Sequence, residues 1–308
     1  MILIVSMMMM IMMILIGNAL DVVIIDNSHN CLGIGLETVK TLLYVGCKVI
    51  SGGRSIDAAK KSFKEADIDD HKNLIVYELD LENLSSVKSF ADKCLYESRI
   101  DFLILNAGIM ALPKLEYTVH GFEKQIGTNH YGHFYLTKLL LDKMKAQSFK
   151  SRIIAVSSKA HTRGKIDLTD IHFKKDRKYD AWLAYGQSKC AMILFVKELA
   201  DQLEGSNICC LSLHPGVIAT GLSKHLGPVI SHVLLPLFVA DKNIAQGAAT
   251  TIAACFDPSF DTKGKRGSYL SDCQIAEPNE QCQDVSKTLR KQLWEVNEKE
   301  LQAALQQK

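Results

Sequence analysis

The chain alternates short, almost continuous apolar runs with longer segments in which apolar residues recur three and four positions apart. The apolar runs are Val22–Ile25, Lys48–Ser51, Leu74–Leu79, Phe102–Leu105, Ile153–Val156 and Ile208–Leu213. The segments with helical spacing include Leu36–Tyr44, Val87–Leu95, Phe134–Met144, Tyr185–Leu203 and the tail, Asp284–Gln307. Because strands that lack polar alternation are buried on both faces, this pattern predicts an α/β protein with a doubly wound parallel sheet.

Length and composition favour one domain over residues 18–308, because no repeat, low-complexity linker or Pro/Gly-rich break follows residue 20. The chain has 308 residues, of which 47% are hydrophobic and 23% charged, which excludes a disordered, collagen-like or coiled-coil protein. Its formal net charge is +2, so it has no basic excess to neutralise phosphates. Nucleic-acid binding by bulk charge is therefore excluded.

Residues 1–17 are an apolar segment that stands apart from this domain. Met1–Ile16 contains a single polar residue, Ser6, and most of the ten methionines of the chain. Sixteen helical residues span about 24 Å, less than the ~30 Å hydrocarbon core, and no Lys or Arg precedes Lys40 to set an orientation. Four interpretations remain open: a marginal membrane anchor, a signal peptide, an apolar extension of the protein, and a translation artefact of a repeated ATG-type triplet.

The nine cysteines are odd in number, irregularly spaced and without a Cys-x-x-Cys motif. Cys209 and Cys210 are neighbours inside an apolar run, which favours buried thiols over a redox pair. This usage fits a reduced domain that faces the cytosol, whether or not the protein is attached to an endoplasmic-reticulum-type membrane. The ten histidines form no His-Glu-x-x-His motif and no cluster with cysteines, so no metal site is predicted.

A glycine-rich turn follows the first apolar run. Gly33, Ile34 and Gly35 would let backbone N–H groups approach a pyrophosphate at the start of a helix, although an ordinary loop would also contain such residues. Arg54 follows the second run, where an NAD site would hold an acidic residue. Its guanidinium could bind the 2′-phosphate of NADP, unless it is a solvated loop arginine.

The third and fourth runs end in two further candidate cofactor contacts. Asp80 and Leu81 follow the third run, and the carboxylate could cap an adenine edge, although an aspartate here could equally be a turn residue. Asn106, Ala107 and Gly108 follow the fourth run, and their small size permits close approach of a ligand to the backbone.

Tyr185 and Lys189 are the strongest candidates for catalysis. Their i, i+4 spacing places both on one helix face, where an ammonium would lower the pKa of the phenol towards the range of an acid/base catalyst. Ser157 and Ser158 follow the fifth apolar run, at the carboxyl end of a strand, where open α/β sheets bind ligands. His214, Pro215 and Gly216 follow the sixth run.

The order of these motifs resembles that of the short-chain dehydrogenase/reductases. The motifs are Gly33-x-Gly35, Asp80-Leu81, Asn106-Ala107-Gly108, Asn129, Ser158, Tyr185-x-x-x-Lys189 and Pro215-Gly216-x-x-x-Thr220. Longer stretches are similar to the branch of retinol dehydrogenases and WW-domain oxidoreductases, and they are Thr128–Phe134, Ala184–Lys189, Leu213–Val217 and Gln246–Thr250. The resemblance covers about residues 30–296 and implies a single Rossmann-type domain.

The resemblance implies hydride transfer between NADP(H) and a carbonyl or alcohol. Tyr185 would exchange the proton at the substrate oxygen, Lys189 would hold the nicotinamide ribose, and Ser158 rather than Ser157 would bind the substrate oxygen. Asn129 would position a water on the path of the proton to solvent. Pro215, Gly216, Val217 and Thr220 would contact the nicotinamide, and Arg54 occupies the family position that selects NADP.

The apolar segment Leu226–Ala240 follows the nicotinamide loop, in the region that covers the substrate in this family. If it lines the pocket, the substrate is lipophilic, such as a retinoid, steroid or aliphatic aldehyde. A packed core helix is the alternative.

One departure from the family keeps a second function open. The first glycine of the nucleotide loop is replaced by His29, which would weaken cofactor binding. The alternative function is therefore a cofactor-deficient relative that acts as a binding or scaffold protein.

Overall fold

The fold is built on a sheet whose strands match the apolar runs of the sequence. The computed structural model describes residues 21–25, 33–218, 242–262 and 264–306, with side chains described from residue 33 onward. The strands are β1 (Asp21–Ile25), β2 (Lys48–Gly53), β3 (Leu74–Glu78), β4 (Phe102–Leu105), β5 (Ser151–Val156), β6 (Ile208–His214), β7 (Tyr269–Ser271) and β8 (Gln274–Ala276). Their order across the sheet is β3-β2-β1-β4-β5-β6-β7-β8, and every pairing is parallel except that of β7 with β8.

Helices cover both faces of this sheet. They are α1 (Ile34–Tyr44), α2 (Ile56–Glu65), α3 (Leu84–Cys94), α4 (Lys124–Ile126), α5 (Gly132–Lys145), α6 (Ala181–Gln202), α7 (Ile244–Phe256), α8 (Glu280–Gln283) and α9 (Thr288–Gln306). A π-helical turn, Gly127–Tyr131, joins α4 to α5 without a break. The doubly wound parallel sheet predicted from the sequence is confirmed as a single-domain Rossmann-type fold.

The sheet separates two apolar cores, and β4 shows how. Phe102 and Ile104 belong to the core under α1, α2 and α7, whereas Leu103 and Leu105 belong to the core under α3, α5, α6 and α9. Alternate side chains of a strand point to opposite faces, so a strand that is buried on both faces has to be apolar throughout.

The strand order reverses between β1 and β4, because β2 and β3 lie on one side of β1 while β4, β5 and β6 lie on the other. In open α/β sheets, ligands bind beyond the carboxyl ends of the strands at such a reversal. The candidate residues after β2, β3, β4, β5 and β6 therefore share one edge of the molecule.

The elements that the sequence did not predict are short or atypical. Strands β7 and β8 have three residues each, too few to show a period. Helix α2 has only three buried residues in ten, and α7 is rich in alanine and threonine, so neither displays a long apolar stripe. The tail, expected to be helical over Asp284–Gln307, is helical from Thr288 to Gln306 after the short helix α8.

The N-terminal segment, residues 1–17, lies outside the described residues. Within the part of the chain that the structure describes, no helix is long and apolar enough to cross a membrane.

Gly132 marks a close approach between α5 and the loop after β3. A Cβ atom at this position would lie 2.5 Å from the carbonyl oxygen of Leu81, which is a backbone atom that cannot rotate away. We expect Gly132→Ala to lower the free energy of unfolding by about 1–3 kcal/mol, measured by urea denaturation. The control is Ser89→Ala, an exposed change on α3 that should leave the stability within about 0.5 kcal/mol of the parent. Equal stability of both variants would contradict the close packing.

Candidate active site

Helix α6 brings Tyr185 and Lys189 to the carboxyl end of β5. The helix begins after Asp180, whose side chain accepts a hydrogen bond from the backbone N–H of Leu183 at 2.7 Å. Tyr185 and Lys189 are 3% and 4% exposed. The Nζ atom of Lys189 donates to the carbonyl oxygen of Val156, the last residue of β5, at 3.0 Å and lies 5.8 Å from the centroid of the Tyr185 ring.

The two serines after β5 point in different directions. The hydroxyl of Ser157 is buried and donates to the carbonyl oxygen of Lys189 at 2.7 Å, which ties β5 to α6. The side chain of Ser158 is near enough to the Tyr185 phenol to affect its pKa, and its Oγ accepts from the backbone N–H of Ala160 at 3.1 Å. The structure therefore places Ser158, and not Ser157, beside the phenol.

Asn129 lies in the π-helical turn and holds the loop after β4. Its Nδ2 donates to the carbonyl oxygen of Ile109 at 2.9 Å and to Ser188 Oγ at 2.8 Å, while its Oδ1 accepts from the N–H of Ile109 at 2.8 Å. A Cβ atom on Gly108 would lie 2.9 Å from Asn129 Oδ1 and 3.3 Å from Lys189 Nζ. The side chain of Asn129 thus joins the β4 loop to α6. Ser188 is a site residue to which the sequence assigned no role, because its contribution is visible only once the two elements meet.

Histidines and the C-terminal helix complete the packing of this turn. His133 Nδ1 lies 3.0 Å from the carbonyl oxygen of Asn129; since a carbonyl can only accept, this nitrogen carries the proton. Burial lowers the pKa of His133 to about 3, so its ring is neutral. His130 Nε2 lies 2.7 Å from Nδ2 of Asn297 on α9, and Glu300 of the same helix binds Tyr131.

The pKa values of the central pair differ from the expectation. Burial raises the pKa of Tyr185 to about 12, against the opposing effect of the nearby Ser158 hydroxyl, and burial lowers the pKa of Lys189 to about 8. The expected lowering of the phenol pKa by Lys189 is wrong for the protein alone, because desolvation dominates and the ammonium hydrogen-bonds to Val156. Spacing along a helix cannot reveal how deeply the pair is buried.

The glycines before α1 and after β6 adopt conformations that other residues rarely reach. Gly33 has φ 119° and precedes α1, whose N-terminus has no side-chain cap, and Gly216 has φ 102°. Ile34 and Gly35 form the first turn of α1, and Pro215 accepts a hydrogen bond from Lys242 at 3.5 Å. Val217 precedes Ile218, which forms a β-bridge with Lys242. Thr220, His29 and Leu226–Ala240 lie outside the described residues.

The loops after β2 and β3 meet through an ion pair. Nη1 of Arg54 lies 3.6 Å from Oε1 of Glu82, a residue that the sequence reasoning missed. Asp80 Oδ1 accepts from the N–H of Glu82 at 3.0 Å, so Asp80 shapes a turn as well as facing the edge of the sheet. Leu81 is buried as a whole residue, and its carbonyl oxygen lies against Gly132. Asn106 and Ala107 follow β4 at the reversal of strand order.

These positions fit a dinucleotide. An N-terminus without a side-chain cap, preceded by Gly33, offers N–H groups to a pyrophosphate, and Arg54 is 24% exposed beside the start of α2. A Cβ atom on Gly108 would crowd Lys189 Nζ, so a glycine suits this position. Among the described residues, no three His, Cys, Asp or Glu side chains are grouped as a metal site would require.

Comparison with known proteins agrees with this arrangement. Residues 30–170 match the short chain dehydrogenase family, and the chain is 37% identical over 286 residues to retinol dehydrogenase 14 of Homo sapiens, covering 86% of this chain and 82% of that protein. The chain belongs to the short-chain dehydrogenase/reductase family. It is also 39% identical over 273 residues to retinol dehydrogenase 13 of Homo sapiens, covering 85% of this chain and 79% of that protein.

A solved structure of another member of the fold supports the family assignment. A protein from Mycobacterium paratuberculosis superposes with a TM-score of 0.71 at 33% identity, over 92% of this chain and 93% of that chain. The short-chain dehydrogenase/reductases use NAD or NADP as cofactor. The chain is therefore an oxidoreductase of this family, related to the retinol dehydrogenases.

The burial of Lys189 predicts a pH-dependent cost to stability. Its pKa is about 8 in the folded protein against an ordinary value of 10.5, so between these pH values the unfolded chain binds a proton that the folded chain does not. The contribution of this residue to stability therefore rises from about pH 8 to 10.5 and is lost as the pH falls through 8.

We expect Lys189→Met, which keeps an unbranched side chain of similar length but removes its charge, to raise the free energy of unfolding at pH 7 by on the order of 1–3 kcal/mol. The gain should shrink at pH 9, as measured by urea denaturation at both pH values. A variant that is less stable than the parent at pH 7 would show that the ammonium is stabilising in place.

Proposed function

We propose that the protein is an NADP(H)-dependent oxidoreductase that interconverts a carbonyl and an alcohol on a lipophilic substrate. The observation that carries the proposal is the buried pair of Tyr185 and Lys189, with the Ser158 hydroxyl near enough to the phenol to affect its pKa. A phenol that is shielded from water and positioned beside a hydroxyl can exchange one proton with the oxygen atom of a bound substrate. The bound cofactor would supply or accept the hydride.

Each residue of the cluster has a separate task. Tyr185 would hold the proton that passes to or from the substrate oxygen, and Ser158 Oγ would hydrogen-bond the same oxygen. Lys189 would hold the nicotinamide ribose and stabilise the tyrosinate when the phenol has given up its proton. Asn129 would position a water on the proton path with its backbone carbonyl oxygen, since its side-chain amide already binds Ile109 and Ser188.

The preference for NADP follows from Arg54. This residue comes directly after β2, and the next residue, Ser55, is the N-cap of α2. A guanidinium next to the positive end of a helix favours a phosphate over a hydroxyl. Gly33, Ile34, Gly35, Asp80, Leu81, Asn106, Ala107 and Gly108 would form the rest of the dinucleotide site, with Pro215, Gly216, Val217 and Thr220 at the nicotinamide.

A lipophilic substrate is supported by the relatives and by composition. Several similar proteins carry the name retinol dehydrogenase, and Leu226–Ala240 is apolar. The alternative, a cofactor-deficient scaffold protein, gains no support from the described residues, in which Asn129 binds Ser188 on α6 and Lys189 binds Val156 at the end of β5.

Cofactor binding is the first test. We expect the purified protein to enhance NADPH fluorescence with a saturable titration, and Arg54→Gln to weaken NADPH binding about tenfold while leaving NADH binding unchanged, because only NADPH carries the 2′-phosphate. Lys60→Gln, an exposed change on α2, is the control. Absence of NADPH binding at millimolar concentration would contradict the proposal.

Proton exchange is tested by removing one oxygen atom. We expect Tyr185→Phe to lower turnover of lipophilic aldehydes at least about 100-fold, because the general acid is lost, while NADPH binding is retained. Tyr77→Phe removes a phenol on β3, which packs against Phe90 away from Ser158, and should leave turnover unchanged. Turnover by Tyr185→Phe at the rate of the parent would refute the role of the phenol.

A further inference from the structure

Glu82 lies between two cations at the adenosine end of the site. Its Oε1 is 3.6 Å from Arg54 Nη1 and its Oε2 is 3.6 Å from Lys124 Nζ. Lys124 also binds Glu116, with 3.0 Å between Nζ and Oε2. The side chains of Arg54, Glu82 and Lys124 are 24%, 16% and 27% exposed, so the three charges are mostly shielded from solvent.

The position of Glu82 is fixed by the loop after β3. Its N–H donates to Asp80 Oδ1 at 3.0 Å, and the N–H of Asp80 donates to Ser86 Oγ at 2.9 Å. Burial raises the pKa of Glu82, against the opposing effect of the neighbouring cations, which shows that the carboxylate has lost solvation. The ionised form of Glu82 therefore depends on Arg54 and Lys124 for its stability more than the ionised form of an exposed carboxyl group would.

This arrangement conflicts with a phosphate on Arg54. A 2′-phosphate would place up to two negative charges on the guanidinium that the carboxylate already contacts, whereas the 2′-hydroxyl of NAD carries no charge. Like charges that share one partner repel, and the carboxylate has a second cation, Lys124, to which it can remain bound.

We propose that Glu82 competes with the 2′-phosphate for Arg54 and thereby limits the preference of this protein for NADPH over NADH. Lys124 opposes this effect, because it binds the same carboxylate and thereby weakens the interaction of Glu82 with Arg54. The inference rests on the proposed contact of Arg54 with the 2′-phosphate. It makes Glu82 and Lys124 specificity-determining residues that need not touch the reacting atoms.

The test compares two small ligands that differ only in the phosphate. Binding of 2′-phosphoadenosine 5′-phosphate and of 5′-AMP to the full chain is measured by isothermal titration calorimetry. We expect Glu82→Gln to bind the 2′-phosphorylated ligand about fivefold more tightly and 5′-AMP as before, since a partly exposed ion pair contributes up to about 1 kcal/mol. Titration of NADPH and NADH fluorescence should show the same change in their ratio.

Two further variants isolate the role of Arg54. Asp92→Asn is the control, because this exposed carboxylate pairs with Lys88 on α3, and it should leave the ratio unchanged. Lys124→Met should weaken binding of the 2′-phosphorylated ligand about fivefold, the opposite sign. In an Arg54→Gln background, Glu82→Gln should have a smaller effect on the ratio of the two ligands than in the parent, because competition for the guanidinium is gone.

The outcomes separate this inference from the proposed function. If the parent discriminates between the ligands through Arg54 but Glu82→Gln leaves the ratio unchanged, competition by Glu82 is overturned. If Glu82→Gln binds the 2′-phosphorylated ligand more weakly, Glu82 orients Arg54 and the inference is also overturned. If Arg54→Gln leaves the discrimination of the parent intact, the contact between Arg54 and the phosphate fails, and the NADP preference fails with it.

Discussion

The buried ammonium of Lys189 is the constraint around which the site is built. An ammonium in a water-poor region is stable only if nearby oxygen atoms are held in fixed positions, and here the carbonyl oxygen of Val156 at the end of β5 accepts its hydrogen bond. The hydroxyl of Ser157 donates a second hydrogen bond, to the backbone carbonyl oxygen of Lys189 itself. Strand and helix are thus joined twice at one point, which leaves Ser158 facing the phenol of Tyr185.

The side of the site formed by Asn129 and the loop after β4 is polar although it is buried. Asn129 binds both the backbone at Ile109 and the hydroxyl of Ser188, so each of its amide atoms is used in fixing the β4 loop to α6. A π-helical turn places this residue one step away from the regular helical register, and such turns often occur at functional sites. These polar contacts hold the β4 loop where a Cβ atom on Gly108 would crowd Lys189 Nζ.

The sequence predicted the layers of the fold because burial on two faces leaves an unambiguous signal in β2, β4, β5 and β6. Spacing and strand ends also predicted that Tyr185, Lys189 and the pair Ser157-Ser158 meet at one edge of the sheet, and the family resemblance selected Ser158 from the pair. The sequence could not reveal that burial raises the pKa of Tyr185, because desolvation depends on atoms far away in the chain. Nor could it reveal Glu82, which reaches Arg54 only when β2 and β3 are neighbours.

The contact between His130 and Asn297 has a consequence for how the protein matures. The two residues are 167 positions apart, and the amide of Asn297 lies against the histidine next to Asn129. The sheet as far as β6 can form from earlier sequence, but the turn that carries Asn129 stays incompletely packed until α9 is synthesised and docks. During vectorial synthesis at roughly 5–20 residues per second, a nascent chain would therefore contain Tyr185 and Lys189 for several seconds before the turn that carries Asn129 is fully packed.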